Sequence, residues 1–338
     1  EPKKGLVIHR VDVYNFHSPD FLSWAMGMNH SFLEYTSRLV SGNSFDIIHG
    51  HDWIVMPCAV SLKYLLGRPL VYSVHSTEYG RRNGLHTDFS RTIHECEGWG
   101  TYEASRIIVC SNYMRDHVRW LFNTPDQKIS TMPNGVVPNP VQSVPMDLRR
   151  TYAEDDEKIV LFVGRLVHEK GLNVLIGAMP TLLNLGIKIK LVVIGDGYAA
   201  DDLKKEAWDL GIYDKIYFRG YVSDEELQRI FKIADVLSVP SLFEPFGIVA
   251  LEGIASGIPV VASDIGGLSE IIRDGENGLK VKPNDSYDLA SALRRILTDD
   301  ELRKRIVRDA KEDISRRFSW PSIAKSTLQI YEELTYIS

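Results

Sequence analysis

Two basic residues flank a short, glycine-bounded loop in the second half of the chain. Gly164 and Arg165 follow an apolar run, and Lys170 precedes Gly171, where a helical pattern begins. A helix N-terminus offers free amides and the positive end of the helix dipole, so two cations beside it strengthen its attraction for an anion. The pattern therefore favours a diphosphate site, with two solvated surface cations as the alternative.

Two glutamates follow another apolar run. Glu252 comes about two helical turns after Glu244, which brings both carboxylates to nearly the same side, where they can accept hydrogen bonds from vicinal hydroxyls. Pro245 suits the first position of a helix, and the amides after it would then be free to bind an anion. These amides belong to Phe246, Gly247 and Ile248. The alternative is a helix-capping glutamate and a solvated one, but Glu252 lies within an apolar run, where a lone charge is costly.

Two further glycine motifs carry a weaker signal. Gly195-Asp196-Gly197 ends one apolar run, and Gly266-Gly267 follows Ser263 at the end of another. The first lacks the spacing of a dinucleotide-binding loop, and a tight turn explains it equally well. The second would either let a substrate approach the backbone closely or form a turn.

Most histidines lie in the first half of the chain. The string His49-Gly50-His51-Asp52-Trp53 resembles a binuclear metal motif, but Trp53 occupies the place of the last ligand. We therefore expect no metal site there, although a metal hydrolase remains an alternative function. His75 also follows an apolar run, and it is either a ligand-facing residue or a hydrogen-bonded core histidine.

Short β-branched runs alternate with amphipathic stretches along the chain, which predicts two doubly wound α/β domains built from parallel strands. The strands are predicted at residues 6–11, 46–49, 70–75, 106–110, 129–132, 159–163, 189–194, 216–219, 236–239 and 259–262. Clear helical patterns in the first half cover residues 20–40, 53–66 and 112–122. Ligands bind such sheets at the carboxyl ends of the strands, where all the candidate residues lie.

A linker is predicted between the two domains. Residues 133–157 contain four prolines and the acidic run 154–157. We expect an N-terminal domain over residues 1–150, a second domain over 151–317, and a final helix over 318–338 that packs back on the first domain. Pro321 is expected to separate two helices of the tail.

Composition excludes several classes of partner. The 338 residues carry 39 Lys and Arg against 45 Asp and Glu, a net charge of −6, so nucleic acid and anionic membranes are not expected partners. The three cysteines form no CxxC pair, no apolar run is long enough to span a bilayer, and no signal peptide is visible. We expect a cytoplasmic protein.

Taken together, these motifs resemble family 4 of the retaining glycosyltransferases, which have the GT-B fold. The resemblance rests on the string from Gly164 to Gly171, the pair Glu244 and Glu252, and Pro133-Asn134-Gly135-Val136. The string from His49 to Trp53 is also similar to the glycogen and starch synthase branch. The resemblance implies two Rossmann-like domains facing across a cleft, with the acceptor on the first domain and a nucleotide sugar on the second.

The resemblance also implies roles for single residues. Arg165 and Lys170 would grip the diphosphate, Glu252 would accept the ribose hydroxyls, and Glu244 would face the transferred sugar. His75 would face the donor sugar near its anomeric carbon. The remaining donor contacts would come from Gly164, from the backbone of Arg219 to Val222, which includes Tyr221, and from Phe246, Gly247, Ile248 and Val249.

The implied reaction is the retaining transfer of a hexosyl group, with glucosyl preferred, from a UDP-, ADP- or GDP-sugar to an acceptor hydroxyl such as that of an α-glucan. No metal is required, because the two cations replace the divalent ion. The alternatives are a non-catalytic sugar-nucleotide-binding subunit and a GT-B sugar-nucleotide epimerase. One departure matters: the family opens with a strand and a glycine-rich loop that this chain lacks. We therefore expect nucleotide binding but poor transfer from this chain.

Overall fold

The computed structural model describes residues 5–14, 17–139, 141 and 143–335. Contacts between Cα atoms divide the chain into two compact units. The first unit groups the described residues within Glu1–Val109, Arg115–Met132 and Ser326–Ser338. The second groups those within Cys110–Met114 and Pro133–Lys325. Pro140 of the predicted linker and residues 336–338 of the predicted last helix lie outside the described residues.

The first unit contains a parallel sheet of four strands in the order β1-β2-β3-β4. The central strands are buried on both faces: every residue of β2 is buried, and so are the last three of β3. Continuous apolar runs are what parallel strands covered by helices require. The strands are β1 (Ile48–His51), β2 (Leu70–Val74), β3 (Arg106–Val109) and β4 (Ile129–Thr131).

Five helices accompany this sheet: α1 (Phe21–Val40), α2 (Met56–Leu66), α3 (Glu78–Arg82), α4 (Asp88–Glu103) and α5 (Asn112–Phe122). Their starts follow local capping chemistry, since Asp20 accepts a hydrogen bond from the Ser23 amide and Thr87 forms a reciprocal capping box with Ser90. The end of the last helix of the chain also joins this unit, where Ile330 packs with Val71 and Ile108.

The predicted first strand is wrong. Residues 6–11 lie outside both sheets, and Leu6, Val7 and Ile8 are each more than half exposed. An apolar run becomes a strand only where another strand offers hydrogen bonds, and none of the described strands pairs with this one. The strand predicted at residues 46–49 begins two residues later, at Ile48.

The second unit contains a parallel sheet of six strands in the order β10-β9-β8-β5-β6-β7. The chain starts at β5, adds β6 and β7 on one side, and then crosses to β8 on the other, so the strand order reverses between β5 and β8. The strands are β5 (Lys158–Val163), β6 (Ile189–Ile194), β7 (Ile216–Gly220), β8 (Val236–Val239), β9 (Val260–Ser263) and β10 (Leu279–Val281). The short β10, with Lys280 at its centre, was not predicted.

The helices of this part of the chain are α6 (Met146–Arg150), α7 (Leu172–Asn184), α8 (Ala200–Asp209), α9 (Asp224–Ile233), α10 (Ile248–Ser256), α11 (Leu268–Ile271), α12 (Ser286–Thr298), α13 (Asp300–Arg317) and α14 (Trp320–Thr335). Pro321 is the second residue of α14, so the break in the tail falls before it, at Phe318 and Ser319. Proline is tolerated in a first helical turn, where its missing N–H would have no partner. No helix of the described residues is long and apolar enough to cross a membrane.

The predicted linker holds ordered structure. It contains α6, and Arg149 of that helix donates to the Asp235 carboxylate at 2.8 Å and to the Glu157 carbonyl at 2.7 Å. Glu157 is buried and accepts a hydrogen bond from Lys215 at 3.1 Å. Residues 146–157 therefore pack within the second unit through charged side chains. Composition alone predicted that these side chains lie in a solvated linker.

A buried carboxyl in the first unit makes stability depend on pH. Glu97 is 1% exposed; its Oε1 accepts from the Glu78 amide at 2.8 Å, and its Oε2 has no hydrogen-bond partner among the described residues. Burial raises its pKa to about 8, against a lowering by Arg81. The folded protein therefore keeps a proton that the unfolded chain releases above about pH 4.5, so stability falls as the pH rises through this window.

We expect Glu97→Gln to remove most of that fall. Between pH 5.5 and 8 the free energy of unfolding of the unaltered chain should fall about 2–3 kcal/mol more than that of the variant, measured by urea titration. Glu95→Gln, on the exposed face of the same helix, is the matched control and should follow the unaltered chain. Parallel pH profiles for the unaltered chain and Glu97→Gln would contradict the prediction.

Candidate functional site

The loops after β5 and β8 lie side by side, because the two strands are neighbours at the point where the strand order reverses. Open α/β sheets bind ligands in the crevice at this point. The first loop carries Arg165 and Lys170, and the second carries Glu244 and leads into α10. The topology thus brings together two motifs that are more than 70 residues apart in the sequence.

The weaker glycine motif after β6 supports the first of these loops. The Leu166 amide donates to the Asp196 carbonyl at 2.9 Å. A Cβ on Gly195 would lie 2.0 Å from the Gly164 carbonyl oxygen, and one on Gly197 would lie 2.3 Å from that of Leu166. Both glycines are therefore needed for close packing between two loops, which favours the structural alternative for this motif.

The two cations differ in environment. The Arg165 side chain is 63% exposed, and its Nη2 donates to Glu169 Oε1 at 3.3 Å. Lys170 ends a single 3-10 turn, and its Nζ donates to Glu244 Oε2 at 2.7 Å. Lys170 is held within the site, whereas Arg165 makes only a weak exposed ion pair and can turn toward a ligand.

Glu244 is buried and held by two donors. Besides Lys170, the Ser241 hydroxyl donates to Glu244 Oε2 at 3.1 Å. Gly266 and Gly267 pack against the same backbone, since a Cβ on Gly266 would lie 2.1 Å from the Glu244 carbonyl oxygen. The Gly267 amide also donates to that oxygen at 2.9 Å. The Gly266-Gly267 motif thus fixes the Glu244 loop, a role that the sequence left open. The contact of Ser241 with Glu244 was not predicted.

The helix after this loop begins later than predicted. Pro245 lies outside α10, which starts at Ile248 with Gly247 as its N-cap at φ 109°. Glycine is favoured there because a φ of 109° is strained for other residues, and a Cβ would also require Leu268 Cδ2, at 2.5 Å, to move. Within the described residues, four successive amides donate no hydrogen bond, those of Phe246, Gly247, Ile248 and Val249. The anion-binding end of the helix is thus displaced by three residues relative to the prediction.

Glu252 lies one turn into α10 and is half-buried. Its carboxylate has no hydrogen bond or ion pair with the described residues, and burial, followed by the negative charge of Asp224, raises its pKa. A half-buried carboxylate without a protein partner is suited to accept hydrogen bonds from a ligand. The two glutamates therefore differ in environment: Glu244 is bound by Lys170, whereas Glu252 has no hydrogen-bond or ion-pair partner among the described residues.

The end of β7 offers backbone groups rather than side chains. Tyr221 is 81% exposed and Val222 is buried, and their amides donate no hydrogen bond within the described part of the chain. The Arg219 guanidinium pairs with Glu226 at 3.1 Å. This segment can present main-chain donors and acceptors to a planar ligand, as expected for a nucleobase.

The first unit contains a cluster of three histidines at the ends of β1 and β2. The His51 and His75 rings are joined by a hydrogen bond of 3.0 Å between Nδ1 and Nε2, and His49 stacks on His51 with ring centroids 4.4 Å apart. The His75 amide donates to Asp52 Oδ1 at 3.0 Å. Within the described residues no group of three or more His, Cys, Asp or Glu could hold a metal ion.

The bond between His51 and His75 was not predicted. His51 was considered as a metal ligand with its near neighbours, and His75 was considered alone. The available signal was the parallel pairing of β1 with β2, which places His51 beside Ser73, two residues before His75. Residues at the ends of adjacent parallel strands meet even when they are far apart in sequence.

Comparison with known sequences places the chain in a family. Residues 147–313 match the family described as Glycosyl transferases group 1, and residues 2–139 match Glycosyltransferase Family 4. An uncharacterized glycosyltransferase of Methanocaldococcus jannaschii is 40% identical over 334 residues, covering 96% of this chain and 85% of that protein. A glycogen synthase of Mycobacterium tuberculosis is 33% identical over 318 residues, covering 92% and 76%. The chain belongs to glycosyltransferase family 4 and is a glycosyltransferase.

Solved structures share its architecture. Sucrose-phosphate synthase from Thermosynechococcus elongatus matches with a TM-score of 0.83 at 25% identity, covering 97% of this chain and 83% of that one. Anabaena HepE in complex with UDP-glucose matches with a TM-score of 0.78 at 21% identity, covering 92% and 82%. The expected GT-B fold and the resemblance to the glycogen and starch synthase branch are confirmed.

Proposed function

We propose that this glycosyltransferase moves a hexosyl group, with glucosyl preferred, from a nucleoside-diphosphate sugar to an acceptor hydroxyl, with retention of the anomeric configuration. The observation that carries the proposal is the arrangement at the strand-order reversal of the second unit. There Arg165, Lys170 and the free amides before and at the start of α10 supply positive charge and donors on adjacent loops. Such a set of donors suits a diphosphate.

Different residues bind the diphosphate, the ribose and the nucleobase of the donor. The diphosphate takes Arg165, Lys170 and the amides of Ile248 and Val249, and the ribose hydroxyls take Glu252. The nucleobase lies against the backbone of Tyr221 and Val222. Both amides of this pair donate no hydrogen bond within the described residues, and Glu252 has no partner among them, so the nucleobase and the ribose meet groups that are available to a ligand.

Lys170 contacts both Glu244 and the diphosphate when the donor binds. Without a ligand its Nζ donates to Glu244, which is 7% exposed and also accepts from Ser241. Because an ammonium group has three donors, Lys170 can reach a phosphate oxygen while it still donates to Glu244 and holds that side chain in place. Glu244 then accepts a hydroxyl of the transferred sugar.

The chemistry follows from where charge develops. Breaking the bond between the anomeric carbon and the diphosphate gives an oxocarbenium-like sugar and a leaving group of increased negative charge. Fixed cations and helix amides stabilise that charge more in the transition state than in the ground state. The leaving phosphate oxygen takes the proton of the acceptor hydroxyl, which then forms the new bond on the same face, and His75 helps to stabilise the positive sugar.

Similarity to known proteins supports glucose as the transferred sugar and an α-glucan as the acceptor. A glycogen synthase is 33% identical to this chain, and a HepE structure of similar fold holds UDP-glucose. Neither relation decides the nucleobase, because the base contacts in this proposal are backbone groups.

A thermal-shift screen with UDP, ADP, GDP and their glucose derivatives tests the proposal. A ligand at 100 times its dissociation constant adds about 2.7 kcal/mol to stability, so one nucleotide should raise the melting temperature by several degrees. The sugar nucleotide that binds is then incubated with a glucan primer, and the products show whether the sugar is transferred with retention. No shift with any nucleotide would refute the donor site, and an epimerised donor without transfer would refute the reaction.

Activity is expected to survive removal of divalent metal ions. Arg165, Lys170 and the α10 amides supply the positive charge that a metal ion supplies in other transferases. Turnover measured in excess EDTA should stay within about twofold of the untreated rate. A loss of turnover on chelation that magnesium or manganese restores would show that this charge is insufficient.

A further inference from the structure

Three imidazole rings form a stack at the carboxyl ends of β1 and β2 in the first unit. His49 and His51 are 22° from parallel with centroids 4.4 Å apart, and His51 and His75 are 9° from parallel with centroids 5.3 Å apart. Residues two apart on a strand point to the same face, which explains the first contact. The second joins neighbouring strands, because His51 pairs with Ser73, two residues before His75.

The hydrogen bond between His51 Nδ1 and His75 Nε2, at 3.0 Å, couples the two rings. A neutral imidazole has one nitrogen that donates and one that accepts, so such a bond needs an N–H on one ring and a lone pair on the other. The protonation of His51 Nδ1 therefore determines that of His75 Nε2. The bond therefore couples the tautomers of the two rings and restricts their rotation.

The His51 ring stacks on His49, and the His49 ring is fixed by its own hydrogen bonds. The stacked His49 has both ring nitrogens engaged, with the Ser73 hydroxyl at 2.8 Å from Nε2 and the Tyr331 hydroxyl of α14 at Nδ1. His49 therefore cannot rotate without losing two hydrogen bonds. The backbone of the loop is fixed as well, because Asp52, at φ 59°, accepts from the His75 amide and donates from its own amide to the Ser73 carbonyl.

We propose that His51 is a positioning residue for His75, setting the tautomer and orientation of the His75 ring through its Nδ1. This inference rests on the proposed function, in which His75 acts at the donor sugar. It adds a residue whose proposed effect on the reaction is exerted through another histidine.

The electrostatic surroundings keep the coupling intact at neutral pH. Burial and the two neighbouring imidazoles lower the pKa of His49 to about 4. Burial and His75 lower the pKa of His51, against an opposing contribution from Asp52. Two charged rings would both present N–H groups to each other and could not bond. A neutral His51 can either donate or accept the hydrogen bond to His75.

Two amide substitutions at His51 separate positioning from simple loss of a ring. Asn places its amide where Nδ1 lies, and Gln places the same amide about where Nε2 lies. We expect His51→Gln to lower kcat about tenfold, the effect of one lost hydrogen bond, and His51→Asn to recover most of it. Nucleotide affinity and melting temperature should match the unaltered chain in both. His30→Gln, at an exposed histidine of α1, is the control and should change nothing.

The tautomer of His75 is measured independently of transfer. Long-range ¹H–¹⁵N spectra of the ring nitrogens should show one His75 tautomer at neutral pH in the unaltered chain and in His51→Asn, and a mixture in His51→Gln. Equal kcat for Asn and Gln, or an unchanged His75 spectrum in His51→Gln, would overturn the inference. Failure of the unaltered chain to transfer sugar refutes the proposed function instead, and the spectra still decide whether His51 sets the His75 tautomer.

Discussion

Arg165→Ala is expected to lower the turnover of sugar transfer by about 10²–10³, the usual effect of losing one preorganised electrostatic contact to a developing charge. The guanidinium stands at the strand-order reversal, is 63% exposed, and has only Glu169 as an ion-pair partner among the described residues. It can therefore form a two-pronged contact with the leaving diphosphate at little cost in lost protein contacts. Turnover is measured with saturating donor.

The matched control is Arg229→Ala. Arg229 lies in the same unit, is half-exposed, and makes an ion pair with Glu225 four residues away, as Arg165 does with Glu169. Its loss should leave turnover within about twofold, because exposed ion pairs contribute little. Arg165→Lys should recover only part of the rate, since lysine keeps the charge but not the planar fork. Unchanged turnover in Arg165→Ala would remove this residue from the mechanism.

The two glutamates of the site are expected to respond in opposite ways. Glu252→Gln should weaken binding of the free nucleoside diphosphate about 10- to 150-fold, because it removes the charge that accepts the ribose hydroxyls. Glu244→Gln should leave that affinity equal or tighter while lowering transfer, because it frees Lys170 Nζ from its 2.7 Å bond. Affinity is measured by calorimetry with nucleotide alone, and transfer with the intact donor.

Each variant serves as the control for the other. Both replace a carboxylate of the same site with its isosteric amide; Glu252 is half-buried and Glu244 is buried. Melting temperatures show whether Glu244→Gln, which leaves Lys170 without its partner, still folds. Equal losses of nucleotide affinity in both variants would mean that the ribose and sugar roles are misassigned. A loss confined to Glu244→Gln would exchange them.

The strands and helices were largely predictable because they depend on local patterns. Apolar runs placed β6 and β8 to the residue, and α5 was placed to the residue as well. The predicted first strand at residues 6–11 failed because strand formation needs a partner, and a partner is a property of the whole sheet. Likewise, Pro245 has the right residue type for a helix start, but the N-cap lies at Gly247, whose φ of 109° is a conformation that glycine adopts readily.

The sequence by itself determined which chemical groups are available: the cations at Arg165 and Lys170, the carboxylates at Glu244 and Glu252, and a helix N-terminus near Gly247. These follow from residue types and spacings within one loop or one helix. Only the tertiary structure decided how they are paired. Lys170 meets Glu244, and His51 meets His75, because adjacent parallel strands bring distant residues to the same edge. Hydrogen bonding acts over about 3 Å in space, whatever the separation along the chain.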